Sequence, residues 1–120
     1  CYFDFDGSGR YRLSYDDELR LDKGLLQRGN TRIASFVRWL DRNNANGILG
    51  EVGLPLGDRR WVALMTDLSR NAERHNIPFV VWAAGEWWGD YPLSIQSLLE
   101  SGKPTALESL GLADVIEATR

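Results

Sequence analysis

Cysteine, histidine and methionine occur once each in these 120 residues, as Cys1, His75 and Met65. A single cysteine excludes an internal disulfide and any cysteine-based metal cluster. There is no basic excess: 14 Lys and Arg against 17 Asp and Glu leave a net charge of −3. That balance argues against a nucleic-acid partner, which wants a basic face. No apolar run approaches the ~20 residues of a helical membrane span, so no membrane partner is expected. The length suits one small domain and falls short of the roughly 250 residues of a complete eight-stranded α/β barrel. There is no internal repeat and no low-complexity tract. Nor is there an initiator Met: Cys1-Tyr2-Phe3-Asp4 reads as the middle of a strand, so the expectation is a fragment whose amino-terminal part is missing.

What the chain does have is ordinary globular composition, 43% hydrophobic and 26% charged, with many aromatics. Five Trp, four Tyr and four Phe are present, and Trp82, Trp87 and Trp88 crowd one segment. The organising stretch is Gly47-Ile48-Leu49-Gly50-Glu51-Val52-Gly53. A short apolar run between small residues predicts a strand buried on both faces, as in a parallel α/β sheet. Glu51 is its one ionisable residue. A lone carboxylate at the end of a buried strand is costly unless partners hold it or chemistry needs it. Helix-patterned segments flank the strand, so its carboxyl end is where an α/β enzyme places its site.

Taken in order, residues 1 to 5 predict the end of a strand, and Asp4-Phe5-Asp6-Gly7-Ser8-Gly9 turns out of it. The spacing fits the first half of a calcium loop, but Tyr15 stands where the bidentate Glu is required, so no metal is expected. A turn capped by Asp and Ser side chains is the better reading. Residues 10 to 29 form a polar, acidic excursion without clear period, a long loop expected to cover something. Asn30 or Thr31 then caps a helix whose apolar stripe is Ile33, Phe36, Val37 and Leu40. Arg32, Arg38, Asp41 and Arg42 read as its solvated face. Asn43-Asn44-Ala45-Asn46-Gly47 ends it by left-handed chemistry. A second helix runs from about Asp58 with a stripe of Trp61, Leu64, Met65, Leu68 and Ala72. His75, in its last turn, sits where a cation is favoured and far from any strand end. Ile77 to Trp82 is another buried strand, with Pro78 tolerable near its start. Pro104 could open a last helix through Leu107, Leu110 and Val115. Strand, helix, strand, helix, strand, helix means parallel strands joined by right-handed crossovers.

Sugar rings offer flat C–H faces that stack on aromatics, and hydroxyls that want carboxylates and amides. Trp82, Trp87, Trp88 and Tyr91 behind a carboxylate-bearing strand suit such a ligand. Trp82, at a strand end, is the best sugar platform, while one of Trp87 and Trp88 is expected to pack between helix and sheet. Two other readings stand beside an enzyme. One is a non-catalytic carbohydrate-binding module using Trp87, Trp88 and Tyr91, although such modules are usually β-sandwiches and this chain has helix stripes. The other is a self-contained α/β fold with Glu86 as a second catalytic carboxylate.

Three motifs in order resemble the last three strands of a family 5 glycoside hydrolase of the endoglucanase (cellulase) type. In that family the sixth strand ends in His-x-Tyr and an Asp-x-Asp-x-Ser-Gly turn. Cys1-Tyr2-Phe3-Asp4-Phe5-Asp6-Gly7-Ser8-Gly9 matches from the x onward, which puts the His just before Cys1. The seventh carries the nucleophile as Gly-Glu-x-Gly, matched by Gly50-Glu51-Val52-Gly53. The eighth ends in Trp-x-Ala-Gly, matched by Trp82-Ala83-Ala84-Gly85, with Trp87-Trp88-Gly89-Asp90-Tyr91-Pro92-Leu93-Ser94 following. Glu86 departs from the pattern, where a Pro or small residue is commoner. The match covers residues 1 to 96; residues 97 to 120 match less well, as a terminal helix region or tail.

The resemblance implies the carboxy-terminal part of a (β/α)8 barrel, about strands six to eight, as a partial catalytic domain over residues 1 to 120. It implies a retaining hydrolase of β-1,4-linked polysaccharide, whose two carboxylates stand about 5–5.5 Å apart. Glu51 would be the nucleophile and Tyr2 would orient it. Trp82 would floor the subsite to the non-reducing side of the cleaved bond, with Trp87, Trp88 and Asp4 as further substrate-binding residues. The acid/base Glu belongs to an Asn-Glu pair on the fourth strand, which this chain does not contain. No cofactor is implied, and the full-length protein would be an extracellular monomer. Residues on the first five strands would choose among cellulose, mannan and mixed-linkage glucan.

Overall fold

A computed structural model describes residues 1–96 of the chain. The helix expected from Pro104 lies outside the described residues. The order is α1 (Tyr15–Leu21), a 3₁₀ turn (Leu25–Gln27), α2 (Arg28–Asn43), β1 (Leu49–Val52), α3 (Arg60–Arg74), β2 (Phe79–Val81) and a second 3₁₀ turn (Glu86–Trp88). β1 and β2 pair in parallel, and Tyr2 forms a parallel bridge to Gly53 on the far side of β1. The parallel α/β order expected from the sequence is therefore present, and the antiparallel sandwich of a binding module is not what these residues form.

Both long helices carry the stripes the periodicity predicts. Ile33, Val37 and Leu40 of α2 and Trp61, Leu64, Met65, Leu68 and Ala72 of α3 are all buried. They enclose a core with Phe3, Val52 and Leu54 under one face of the sheet. Each helix ends the same way. Asn44 (φ 47°) and Asn76 (φ 54°) adopt left-handed backbone, which Asn tolerates because its short polar side chain can bond locally. The next N–H then turns back: Ala45 donates to the Leu40 carbonyl at 3.0 Å and Ile77 to that of Ala72 at 2.9 Å. The chain leaves each helix aimed into the following strand.

Three expectations need correction. Residues 10 to 29 are not a plain loop, because α1 lies within them. Ser14 caps it, its hydroxyl oxygen accepting the Asp17 N–H at 3.1 Å. The period was invisible because the inner face holds Tyr15 and Glu18, a carboxylate where an apolar residue would be looked for. Next, α2 starts at Arg28 rather than at an Asn30 or Thr31 cap, being entered from a turn already wound over Leu25–Gln27. Last, the strands are buried on one face only. Gly50 and Glu51 are exposed, as are Ile48 (56%) and Val80 (50%). Helices α2 and α3 cover one side of the sheet, and among the described residues nothing covers the other.

Candidate active site

The register of the two strands steps unevenly: Leu49 pairs with Phe79 and Val52 with Val81, three residues on β1 against two on β2. The extra residue falls at Gly50–Glu51. Such an irregularity breaks the ladder and re-aims a side chain, which is why bulges recur beside active sites. Glu51 thus stands at the carboxyl end of β1, out of the regular alternation. The Tyr2 hydroxyl donates to Glu51 Oε1, so the pairing expected between these residues is present in the geometry. Partial burial and, after it, the hydrogen bond to Glu51 push the Tyr2 phenol well above its usual range. Tyr2 therefore keeps its proton at neutral pH and acts as a fixed donor to the carboxylate.

Glycines account for the placement of Tyr2. A Cβ added to Gly53 would lie 2.9 Å from the Tyr2 ring and 3.0 Å from the Trp82 carbonyl oxygen. A Cβ on Gly9 would also lie 2.9 Å from that ring, at a φ of +76° that favours glycine. The two glycines that close the first two motifs are the walls between which the Tyr2 ring fits.

The backbone beneath Tyr2 is held mostly by side chains. Arg32 donates to the Tyr2 and Phe5 carbonyls at 2.7 and 2.8 Å, so it is not the solvated residue the helical pattern suggested. Arg28, buried, donates to the Phe3 carbonyl at 2.8 Å and to Glu18 at 2.7 Å. Glu18 in turn accepts the Phe5 N–H at 2.9 Å. Tyr11 accepts the Phe3 N–H at 2.9 Å and donates to the Gly53 carbonyl at 2.6 Å. Sequence patterning marks none of these four residues as part of the site; the Arg28–Glu18 pair is a buried charge pair, which periodicity does not register.

Asp4 anchors its own turn. It is 2% exposed, and its carboxylate accepts from the N–H groups of Gly9 (3.1 Å) and Tyr11 (3.2 Å) and from the Ser8 hydroxyl (3.2 Å). The Asp-and-Ser-capped turn read from the sequence is the arrangement found.

Beyond β2 the aromatics form a row. Trp82 meets Trp88 edge to face at 4.9 Å, Trp88 meets Trp87 likewise at 4.9 Å, and Tyr91 lies tilted on Trp88 at 4.9 Å. Trp82 Nε1–H donates to the Tyr91 hydroxyl at 3.3 Å. Trp88 is the packed member of the Trp87–Trp88 pair, while Trp87 is 86% exposed. The loop is tied down: Ala83 exchanges backbone bonds with Leu93 and Ile95, and the Gly85 N–H donates to Gln96. The Trp82–Ala83 peptide is cis. Glu86 is exposed on the 3₁₀ turn. His75 is exposed at the end of α3, away from Glu51 and the Trp row.

The described residues thus form a parallel α/β unit with a tyrosine-held carboxylate near the carboxyl end of one strand and an aromatic row following the next. No protein-family model matches the chain. It is 30% identical over 119 residues to a probable endo-β-1,4-glucanase B of Aspergillus oryzae, covering 98% of this chain and 31% of that protein. It is 31% identical over 100 residues to an endoglucanase of Neurospora crassa, covering 79% of this chain and 23% of that protein. Among solved structures, endoglucanase Cel5A of Pseudomonas stutzeri matches with TM-score 0.67 and 33% identity over 78% of this chain and 28% of that one. An endo-β-1,4-glucanase of Xanthomonas axonopodis pv. citri matches with TM-score 0.72 and 26% identity over 96% of this chain and 35% of that one. By sequence and by fold the chain is similar to part of these endo-β-1,4-glucanases. It spans about a quarter to a third of the length of the relatives it matches.

Proposed function

We propose that residues 1 to 120 form the carboxy-terminal part of a (β/α)8 catalytic barrel, about strands six to eight, in a retaining endo-β-1,4-glucanase. The observation that carries this reading is the Tyr2–Glu51 hydrogen bond, at the carboxyl ends of neighbouring parallel strands and beside the Trp82 row. The exposed face of β1 and β2 is then the face that the remaining strands cover. The Glu51 carboxylate, oriented by Tyr2, attacks the anomeric carbon as the glycosidic C–O bond breaks and the departing sugar oxygen takes a proton from the acid/base carboxylate; water then hydrolyses the resulting glycosyl-enzyme. Trp82 floors the subsite to the non-reducing side, and exposed Trp87 extends the platform with Trp88 as its support. The acid/base carboxylate comes from an earlier strand. General acid assistance contributes typically 10²–10⁴ in rate, so residues 1 to 120 alone are inactive.

The relatives support the substrate class: the Pseudomonas stutzeri enzyme was solved in complex with cellobiose. A soluble or fibrous β-1,4-glucan is the substrate proposed here, met outside the cell because a polymer of that size is not taken up whole, by a protein acting as a monomer. The test uses the intact protein. Glu51→Gln keeps the shape and removes the charge, so cleavage of a cello-oligosaccharide should nearly vanish while binding survives. Azide added to Glu51→Gly with an activated glycoside should restore turnover as an α-linked glycosyl azide. Wild-type-like cleavage by Glu51→Gln would refute the assignment.

A further inference from the structure

We infer that Tyr11 is a positioning residue for the Tyr2–Glu51 pair, an inference that rests on the reading of Glu51 just given. One oxygen atom joins the two strand ends. The Tyr11 hydroxyl accepts the N–H of Phe3, the residue after Tyr2, at 2.9 Å, and donates to the carbonyl of Gly53, two residues past Glu51, at 2.6 Å. Between these segments the regular ladder is short: the Tyr2–Gly53 bridge, with a 3.3 Å bond from the Gly53 N–H to the Cys1 carbonyl, and a bond from the Cys1 nitrogen to the Glu51 carbonyl. The Tyr11 hydroxyl extends this short ladder by one side-chain rung, beyond the Cys1 bonds and at the place where register decides whether Tyr2 meets Glu51.

The ring of Tyr11 is fixed from the core side. It packs edge to face on Trp61 at 5.1 Å, and Trp61 is 2% exposed on α3 and backed by Tyr15 at 5.0 Å. On its other side the Tyr2 ring lies edge on at 6.4 Å. The backbone is fixed as well, since Tyr11 holds a left-handed φ of 44° with its N–H on buried Asp4 at 3.2 Å. Burial raises its phenol pKa, so the proton stays available to the Gly53 carbonyl across the working pH range. The chain of support thus runs from the α3 core through Tyr11 to Tyr2 and on to Glu51. Deleting only the hydroxyl leaves the ring contacts in place and removes the rung, letting the strand ends slide relative to one another.

The test is a double-mutant cycle of Tyr11→Phe and Tyr2→Phe in the intact protein on a soluble cello-oligosaccharide. A loss of strand-end register should lower kcat of Tyr11→Phe about tenfold with KM changed less than about twofold. If Tyr11 acts through Tyr2, the double variant should fall no more than about twofold below Tyr2→Phe alone. Rates are taken per folded site, counted by covalent trapping with an activated 2-fluoro glycoside, so that loss of folded protein does not mimic the effect. Unchanged kcat per site in Tyr11→Phe, or losses that simply multiply in the double variant, would overturn the inference while leaving the Glu51 reading intact. A wild-type protein that cleaves no β-1,4-glucan would overturn both.

Discussion

Gly53→Ala adds a single methyl group at a crowded point of the site. The new Cβ would stand 2.9 Å from Tyr2 Cε1, 3.0 Å from the Trp82 carbonyl oxygen and 3.1 Å from Leu93 Cδ2. Carbon atoms rest about 3.5–4.0 Å apart, so some 0.5–1 Å of relief is required. The Trp82 carbonyl belongs to backbone and gives little. Leu93 is 2% exposed, in a loop closed by bonds to Ala83, and gives little more. Tyr2 is the softest neighbour, but Gly9 and Tyr11 lie close to its ring. Relief must therefore shift the phenol relative to Glu51. Overpacking of this kind costs about 1–3 kcal/mol of stability. A displacement near 1 Å at a catalytic pair costs up to about 10²-fold in rate. The expected result is a kcat per folded site reduced roughly tenfold to a hundredfold, with a modest loss of stability. Steady-state kinetics on a cello-oligosaccharide, with urea unfolding of the same samples, measure both. A Gly53→Ala enzyme within about threefold of wild type in kcat would show that the Tyr2 ring has slack the packing denies.

Two further outcomes follow from charge placement. Glu18→Gln leaves the Arg28 guanidinium, 6% exposed, with partly exposed Asp22 as its remaining ionic partner. Breaking a buried pair costs about 3–5 kcal/mol, and with Asp22 retained about 2–3 kcal/mol is expected; a urea midpoint unmoved from wild type would contradict this. Glu86 is exposed on its 3₁₀ turn, so Glu86→Gln should change kcat/KM by less than about tenfold, or roughly 1.4 kcal/mol. Equal losses from Glu86→Gln and Glu51→Gln on one oligosaccharide would mean the wrong carboxylate has been placed at the reaction.

The sequence by itself determined the α/β order, both long helices and their buried stripes, because a period of 3.6 with Asn at each end is a local signal. It also marked Tyr2, Glu51 and the Trp82–Tyr91 aromatics as candidates for a site, because their motifs are contiguous. It did not determine α1, whose inner face is a carboxylate, nor that Arg32 and Arg28 grip the strand of Tyr2 instead of facing water. Nor did it determine that Asp4 is buried and accepts from three donors of its own turn. Those features depend on which residues meet across 10 to 50 positions of chain, and hydrophobic patterning is blind to a charge whose partner is supplied from elsewhere. Tertiary structure alone decided that Gly9 and Gly53 exist to admit one tyrosine ring. It alone decided that β1 slips register beneath Glu51 and that one hydroxyl, on Tyr11, ties the two strand ends together.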